Sequence, residues 1–474
     1  MPLSLDPKQP FGAFQRQLTG SDSHGRLRAG LIGEGMEIPG PFGPKPLVYA
    51  DYVASGRALV QVEDFVTRHV LPFYANSHTE ASFCGQQMTR MREKARQIIG
   101  QLCGADDRHA VVFAGSGATA GLNRLVHLLA AGPETVVIIG PYEHHSNILP
   151  WRESGAKVIE IPEAENGGPD LVCLQATLEQ HQGQHIIGSF SAASNVTGVM
   201  TDVEAVTSKL KAFGALAVWD YAGGGPYMPM RMRHADAIVT SPHKFIGGPG
   251  ASGVMILRKD AVRTQRPSLP GGGTVAFVSP WAHDYSGDLA TREEAGTPNV
   301  IGDIRAALAF LVKDAIGQEF ITERLDTLRA RALKVWQKTP GLRLIGHPNA
   351  PSLPIFSFQV QDRDGAMVHQ QLVTRMLSDV FGIQARGGCA CAGPYAHRLL
   401  GIQAVQSEQL RAEILAGHEV EKPGWTRLGF SPLMTDIKAD TLIAAVDQLA
   451  RDPHAFSGVY QMDPQTARFS PKAA

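Results

Sequence analysis

The chain reads as an α/β protein: a mostly parallel central sheet covered by helices, followed by a smaller α+β domain. Three observations predict this. Short apolar runs without polar alternation recur between residues 110 and 257, as suits strands buried on both faces. Helical patterns separate those runs, the mark of repeated strand–helix–strand units. Beyond about residue 300 the texture shifts to long helical patterns rich in Arg, Lys and Glu.

The elements follow in order. Residues 1–45 are rich in Gly, Pro and polar side chains and read as an arm that packs late or against a partner. The first strand covers 110–113 and ends in Gly115-Ser116-Gly117, with an apolar-periodic helix over about 119–131. Strands are expected at 135–139, 158–161 and 186–190. A helix over 203–213 is bracketed by a capping box, Thr201-x-x-Glu204, and by Gly214 just past its end. Strands at 215–219, 235–239 and 253–257 complete the alternation. Later, 303–338 reads as helix, 355–358 as strand, 365–380 as helix, 386–395 as a loop and 439–451 as the last helix. The domain limits are therefore an arm over 1–48, a large domain over 49–310 and a small C-terminal domain over 311–474.

Composition narrows the function classes. At ~150 residues per domain, 474 residues make about three domains at most. Lys+Arg number 44 against 45 Asp+Glu, so nucleic acid is not expected as a partner. A 43% hydrophobic and 19% charged chain is not a mostly disordered one. Five cysteines are too few for a disulfide framework and point to free thiols in a reducing, cytoplasmic setting. No stretch has the length and apolarity of a membrane span, so no membrane role is expected, and residues 1–17 lack the apolar core of a signal peptide.

Ligand sites in such sheets lie at the C-terminal ends of the strands. Gly115-Ser116-Gly117-Ala118-Thr119-Ala120 joins a strand to a helix, where backbone N–H groups and a Thr hydroxyl suit a phosphate. The pattern also fits the dinucleotide fingerprint G-x-G-x-x-A, and a ligand-free turn is as common. Asp220 ends one strand and Lys244 follows the next, 24 residues on. The pair makes an ordinary salt bridge or something sharper. A lysine amine forms a Schiff base with a carbonyl cofactor, and a carboxylate facing a pyridine nitrogen keeps that ring an electron sink. With the phosphate loop, three features converge on pyridoxal 5'-phosphate (PLP). His144, in Glu143-His144-His145-Ser146-Asn147, stands where a ring could stack on a cofactor and exchange protons; a hydrogen-bonded boundary histidine is the bland alternative.

The ordered motifs are Gly117-Ala118-Thr119-Ala120-Gly121-Leu122-Asn123, Glu143–Asn147, Ser194-Asn195-Val196-Thr197-Gly198, Asp220-Tyr221-Ala222, Ser241-Pro242-His243-Lys244, Gly271-Gly272-Gly273 and Glu294-Ala295-Gly296-Thr297-Pro298-Asn299. Together they resemble class V aminotransferase-fold PLP enzymes, most of all the cysteine desulfurase/selenocysteine lyase branch. The resemblance runs from about Tyr49 to Arg427 and implies the type I fold of PLP-dependent transferases. It implies Lys244 as the Schiff-base lysine, Asp220 as partner of the pyridine nitrogen and His144 as the ring-stacking histidine. Ala118, Thr119, Ser241 and His243 match phosphate-binding positions. Thr297 matches one that reaches the phosphate of a second subunit, so a homodimer is implied. Asn195 matches a residue near the cofactor oxygen and the substrate carboxylate, and Arg427 resembles the arginine that holds that carboxylate, a task suited to a planar fork of donors.

The run Arg386-Gly387-Gly388-Cys389-Ala390-Cys391-Ala392-Gly393-Pro394 decides the branch. In desulfurases a cysteine lies five residues after such an arginine, as Cys391 does after Arg386. Cys391 would attack substrate sulfur as a thiolate, helped by a cationic neighbour such as Arg386, and become a persulfide. A sulfur-acceptor protein is then a possible partner. Cys389 and Cys391 lack the further ligands of a zinc site, His397 being the one nearby candidate, so no metal is assigned. Two inert buried thiols are the plain alternative. Cys84, Cys103 and Cys173 match no motif and read as structural. Two positions depart from the pattern: Gly223 stands where close desulfurases carry a glutamine, and Cys389-Ala390 replaces a histidine pair. The expected reaction releases sulfur or selenium from L-cysteine or L-selenocysteine to give alanine. A class V aminotransferase or another PLP-dependent lyase is the alternative, since fold does not fix reaction. A nicotinamide-dependent dehydrogenase needs an acid at a strand end about 20 residues past the turn, and Glu134 precedes its strand. Lys244 and Asp220 argue against a non-catalytic scaffold.

Overall fold

The computed structural model describes residues 5–6, 8–77 and 80–472. The chain divides into two compact units. The first takes the described residues of 1–32, 55–193 and 201–319; the second takes 33–54, 194–200 and the described residues of 320–474. The span 1–48 is thus shared between units, and 49–310 contributes two short stretches to the second.

The N-terminal segment, expected as an arm, packs in part on its own chain. It forms α1 (Pro10–Leu18) and α2 (Ser23–Ala29). Phe11, Phe14, Leu18 and Leu27 are buried, and the Phe11 and Phe14 rings lie 5.2 and 5.4 Å from that of Phe65. Apolar residues at 11, 14 and 18 line one stripe of a helix, and Pro10 sits in the first turn, where its missing N–H is harmless.

Seven strands make the sheet of the first unit: β1 (His109–Gly115), β2 (Thr135–Ile139), β3 (Lys157–Glu160), β4 (His185–Ser191), β5 (Leu216–Asp220), β6 (Ala237–Thr240) and β7 (Gly253–Arg258). Their order is β1-β7-β6-β5-β4-β2-β3. Neighbours among β2 to β6 pair in parallel; β7 alone runs antiparallel to both its neighbours, β1 and β6. Every residue of β2, β5 and β6 is buried, which explains the missing alternation.

Helix α3 (Gly117–Leu128) follows β1, and α4 (Val203–Ala212) precedes β5. The cap of α4 differs from expectation. The Asp202 carboxylate, not Thr201, accepts the Ala205 N–H at 3.0 Å. Thr201 is buried and donates its hydroxyl to Ser191 O at 2.8 Å, because a buried hydroxyl needs a partner. Gly214, with φ of +71°, closes the helix as expected, and Ala215 N–H bonds Leu210 O.

The second unit carries an antiparallel sheet of β8 (Leu342–Ile345), β9 (Ile355–Gln361), β10 (Arg386–Gly388) and β11 (Trp425–Gly429), ordered β8-β9-β11-β10. Trp336 is buried with its ring 4.9 Å from Phe356, and its indole N–H donates to Ile443 O. The expected 365–380 helix resolves into a short strand, Met367–Val368, and α5 (Gln370–Phe381). The expected 386–395 loop begins as β10 and ends in α6 (Gly393–Leu400). Three residues of strand suffice there because β11 supplies the partner groups. Val48–Tyr49 pairs in parallel with Ile383–Gln384, and Gly429 N–H bonds Ala50 O at 2.7 Å. These bonds carry residues 48–51 to the same sheet.

If α1 is part of the core, Phe14→Ala should lower unfolding free energy by about 3–5 kcal/mol, read as a shifted denaturant midpoint. An unchanged midpoint would show the segment to be dispensable.

Candidate active site

The turn from β1 into α3 forms a cradle. Gly117 has φ of +63°, a left-handed conformation that favours glycine. A Cβ there would stand 2.9 Å from Ser241 Oγ and 3.1 Å from His243 Cε1. Ser116 does not cap the helix with its side chain. Instead Ser241 Oγ accepts the Ala118 N–H at 2.9 Å. A first helical turn with Thr119 exposed beside it presents backbone N–H groups and a hydroxyl that suit an anion. Burial and the neighbouring Lys244 push the His243 imidazole down from its ordinary range.

Asp220 ends β5 and is 4% exposed. Its Oδ1 accepts the Ala222 N–H at 2.7 Å. Burial raises its carboxyl, opposed by that N–H and by the charge of Lys244. Lys244 lies in the short turn Pro242–Lys244 after β6. His144 Nδ1 accepts the Ser146 N–H at 3.1 Å, so the neutral ring carries its proton on Nε2. Ser146 Oγ lies 3.1 Å from that nitrogen and 2.7 Å from Thr119 Oγ1. A hydroxyl chain therefore links the His144 turn to the first turn of α3. Ala118, Thr119, His144, Asp220, Ser241, His243 and Lys244 all belong to the first unit.

In the sequence, Glu143 stands out only as a member of its motif. It is buried and accepts the Ser191 N–H and Oγ–H at 2.8 and 2.7 Å and the Asn147 amide at 2.5 Å. Ser191 is the register partner of Asp220. Burial pushes the Glu143 carboxyl up to about 7, against the pull of those donors. The folded state therefore binds a proton that the unfolded state releases from about 4.5 upward. Stability should fall as pH rises from about 4.5 to about 7, by about 1.4 kcal/mol per unit at most. Glu143→Gln should flatten that limb in denaturant titrations across pH; an identical slope would refute the assignment.

A second cluster lies wholly within the second unit. Arg427, in β11, is 5% exposed. It donates from Nη1 to Asn195 O at 2.9 Å and from Nη2 to Asp51 Oδ1 at 3.4 Å. Burial lowers its pKa, against the pull of the Asp51 carboxylate. Arg386 faces Arg427 across the strands and donates from Nε to Asp51 Oδ2 at 2.9 Å. Asn195 gives its amide to Ala390 O at 2.8 Å, tying the cysteine loop to residues 194–200. Ala390 and Cys391 both have φ of +55°, a left-handed pair that costs about 1–2 kcal/mol per residue without glycine. The loop also bends at Gly388, with φ of +129°, ahead of Ala390 and Cys391. Cys391 is exposed and Cys389 partly so, so neither is an inert buried thiol. His397 spends its ring nitrogens on Gly393 O and Ser407 Oγ, both at 2.8 Å. Asp51 went unnoticed in the sequence; a lone carboxylate after Val48-Tyr49-Ala50 carries no spacing signal. Thr297 is exposed in the first unit, after Gly296 at φ of +84°. Gly223 is buried in the turn after Asp220.

The chain is similar to known proteins over most of its length. The Aminotransferase class-V family profile matches residues 48–422. A probable cysteine desulfurase of Vibrio cholerae serotype O1 is 31% identical over 361 residues, 74% of this chain and 85% of that protein. The cysteine desulfurase CsdA of Escherichia coli (strain K12) is 28% identical over 424 residues, 85% of this chain and 93% of that one. The crystal structure of CsdA from Escherichia coli superposes with a TM-score of 0.69 at 25% identity, covering 90% of this chain and 98% of the other. The apo cysteine desulfurase of Thermococcus onnurineus NA1 shares the fold, with a TM-score of 0.71 at 24% identity over 85% of this chain and 95% of the other. The fold is that of the type I PLP-dependent transferases, and the chain belongs to the class V aminotransferase family, on its cysteine desulfurase branch.

Proposed function

We propose that this protein is a PLP-dependent cysteine desulfurase-like enzyme that takes sulfur, or selenium, from L-cysteine or L-selenocysteine and leaves alanine. The observation that carries the reading is Cys391: an exposed thiol at a left-handed bend of the loop that follows Arg386. The relatives named above support it.

The first unit has the right donors for the cofactor. The open first turn of α3, Thr119, Ser241 and His243 suit a phosphate, and the room that Gly117 leaves beside Ser241 and His243 suits its close approach. Asp220 suits a protonated pyridine nitrogen, His144 a ring face and Lys244 a carbonyl carbon. When bound, PLP supplies an electron sink for charge developing at the substrate Cα. Lys244 takes the Cα proton. Burial raises the Asp220 carboxyl, and the Ala222 N–H and the charge of Lys244 oppose that rise. Arg427 holds the substrate carboxylate, with Asn195 and Arg386 beside it. The Cys391 thiolate attacks the substrate sulfur; the S–S bond forms as the C–S bond breaks, and the carbon keeps the electron pair. His144, protonated on Nε2, returns a proton as alanine forms. The reading includes a homodimer in which Thr297 reaches the partner's cofactor, a sulfur-acceptor protein that meets exposed Cys391, and a cytoplasmic location, supported by five free cysteines.

Purified protein should be yellow and yield alanine and sulfide from L-cysteine under reducing conditions. Lys244→Ala should abolish both colour and turnover. Cys391→Ser should keep the colour and lose sulfur release. A keto acid produced without sulfide would instead identify an aminotransferase.

A further inference from the structure

The loop that carries Thr297 is held at both ends by one side chain. Arg92, on the helix Phe83–Leu102, donates from Nη2 to Glu294 Oε2 and from Nε to Asp303 Oδ2, the latter at 2.6 Å. Glu294 directly precedes Ala295-Gly296-Thr297-Pro298-Asn299, and Asp303 lies in the first turn of the helix Val300–Ile316 that follows. Arg96, one turn along from Arg92, grips the first end again, with Nη1 2.8 Å from Glu294 Oε1 and Nη2 3.1 Å from Oε2. Between its ends the loop is tied once more, where the Gly296 N–H bonds Gly272 O at 2.8 Å.

Burial separates this clamp from what it holds. The side chains of Arg92, Glu294 and Asp303 are 11%, 6% and 2% exposed, whereas Gly296, Thr297 and Asn299 are exposed. Two guanidinium groups and two carboxylates balance in charge, but such buried pairs add little net stability once desolvation is counted. What they fix is geometry: the planar fork of Arg92 sets the distance between the two ends of the loop. Arg92 and Arg96 also lie over the Phe113 ring, 5.4 and 5.0 Å from its centre. Phe113 belongs to β1, the strand that leads into this subunit's own cradle, so a purely structural role would be felt there.

We propose that Arg92 is a positioning residue that acts in trans: by tying Glu294 to Asp303 it holds Thr297 where the partner subunit's cofactor phosphate binds. The proposal rests on the reading of Thr297 as a residue that reaches the second subunit.

The test uses full-length heterodimers loaded with PLP, assembled from two differently tagged subunits and purified through both tags. One subunit carries Lys244→Ala, so the yellow absorbance reports only the site of the other. Placed on the Lys244→Ala subunit, Arg92→Gln should speed the loss of colour on dilution about tenfold, the scale of one hydrogen bond to a charged group. Placed on the subunit that keeps Lys244, it should leave the rate unchanged. Thr297→Ala on the Lys244→Ala subunit should also speed the loss, and adding Arg92→Gln to it should bring no further change, because the arginine acts through the threonine. Arg92→Lys keeps the buried charge but cannot span both carboxylates; it should give a smaller effect in the same arrangement and carries the test if Arg92→Gln does not fold. Faster loss only when the substitution shares a subunit with Lys244, or an unchanged rate in the first arrangement while Thr297→Ala still acts, overturns the role of Arg92 alone. Absence of any effect of Thr297→Ala across the dimer, or a protein that forms no dimer, overturns the reading of Thr297 and the proposal with it. Colour loss needs no turnover, so failure to release sulfide from cysteine overturns only the desulfurase reading.

Discussion

Strand direction is the constraint on which the chemistry of the first unit depends. Because β2, β4, β5 and β6 run parallel, each releases the chain at the same sheet edge. The His144 turn, Ser191, Asp220 and Ser241 to Lys244 therefore gather there without any one segment being long. The antiparallel β7 does not spoil this. It lies between β1 and β6, so β1 points the same way as the rest and hands its glycine turn to α3 at the shared edge. Buried strands make that edge rigid, which suits groups that must hold a ring and a phosphate in register.

Burial then sets the price of every charge at the two clusters. Asp220 has a backbone N–H and the field of Lys244. Glu143 has three donors yet still rises to about 7, because burial outweighs them. Asp51 has two guanidinium groups. The loop before Thr297 follows the same rule. Glu294 is buried between Arg92 and Arg96 and accepts the Phe113 N–H at 2.7 Å, and Arg92 also pairs with Asp303 at 2.6 Å. An unpaired charge at any of these positions would be strongly destabilising: Asp220, Asp51 and Glu294 each face a cation distant in sequence, whereas Glu143 has only hydrogen-bond donors and rises toward the neutral acid.

Legibility in the sequence followed the range of the forces involved. The seven sheet strands were readable because each is a local apolar run, and Gly214 was readable because a left-handed helix end needs glycine. Thr201 misled because Thr and Asp both cap helices; the choice fell to Asp202 once Ser191 O claimed the Thr201 hydroxyl. The N-terminal segment read as an arm because its few large apolar residues sit among Gly, Pro and polar neighbours, and the ring they pack on, Phe65, is distant in sequence. The 386–395 segment looked like a loop because its strand is three residues long and exists only by pairing with β11.

By itself, the sequence determined the α/β character of the chain, the order of its motifs and the chemical types at each strand end. Periodicity, glycine at a tight turn and a nucleophile five residues past an arginine are local properties, written in neighbouring positions. The tertiary structure alone decided which charges meet. It set Arg386 opposite Arg427 with Asp51 between them, turned the Asn195 amide to the cysteine loop, and placed the left-handed bend on Ala390 and Cys391. Those outcomes depend on sheet register and on burial, and both arise only when segments hundreds of residues apart are packed together.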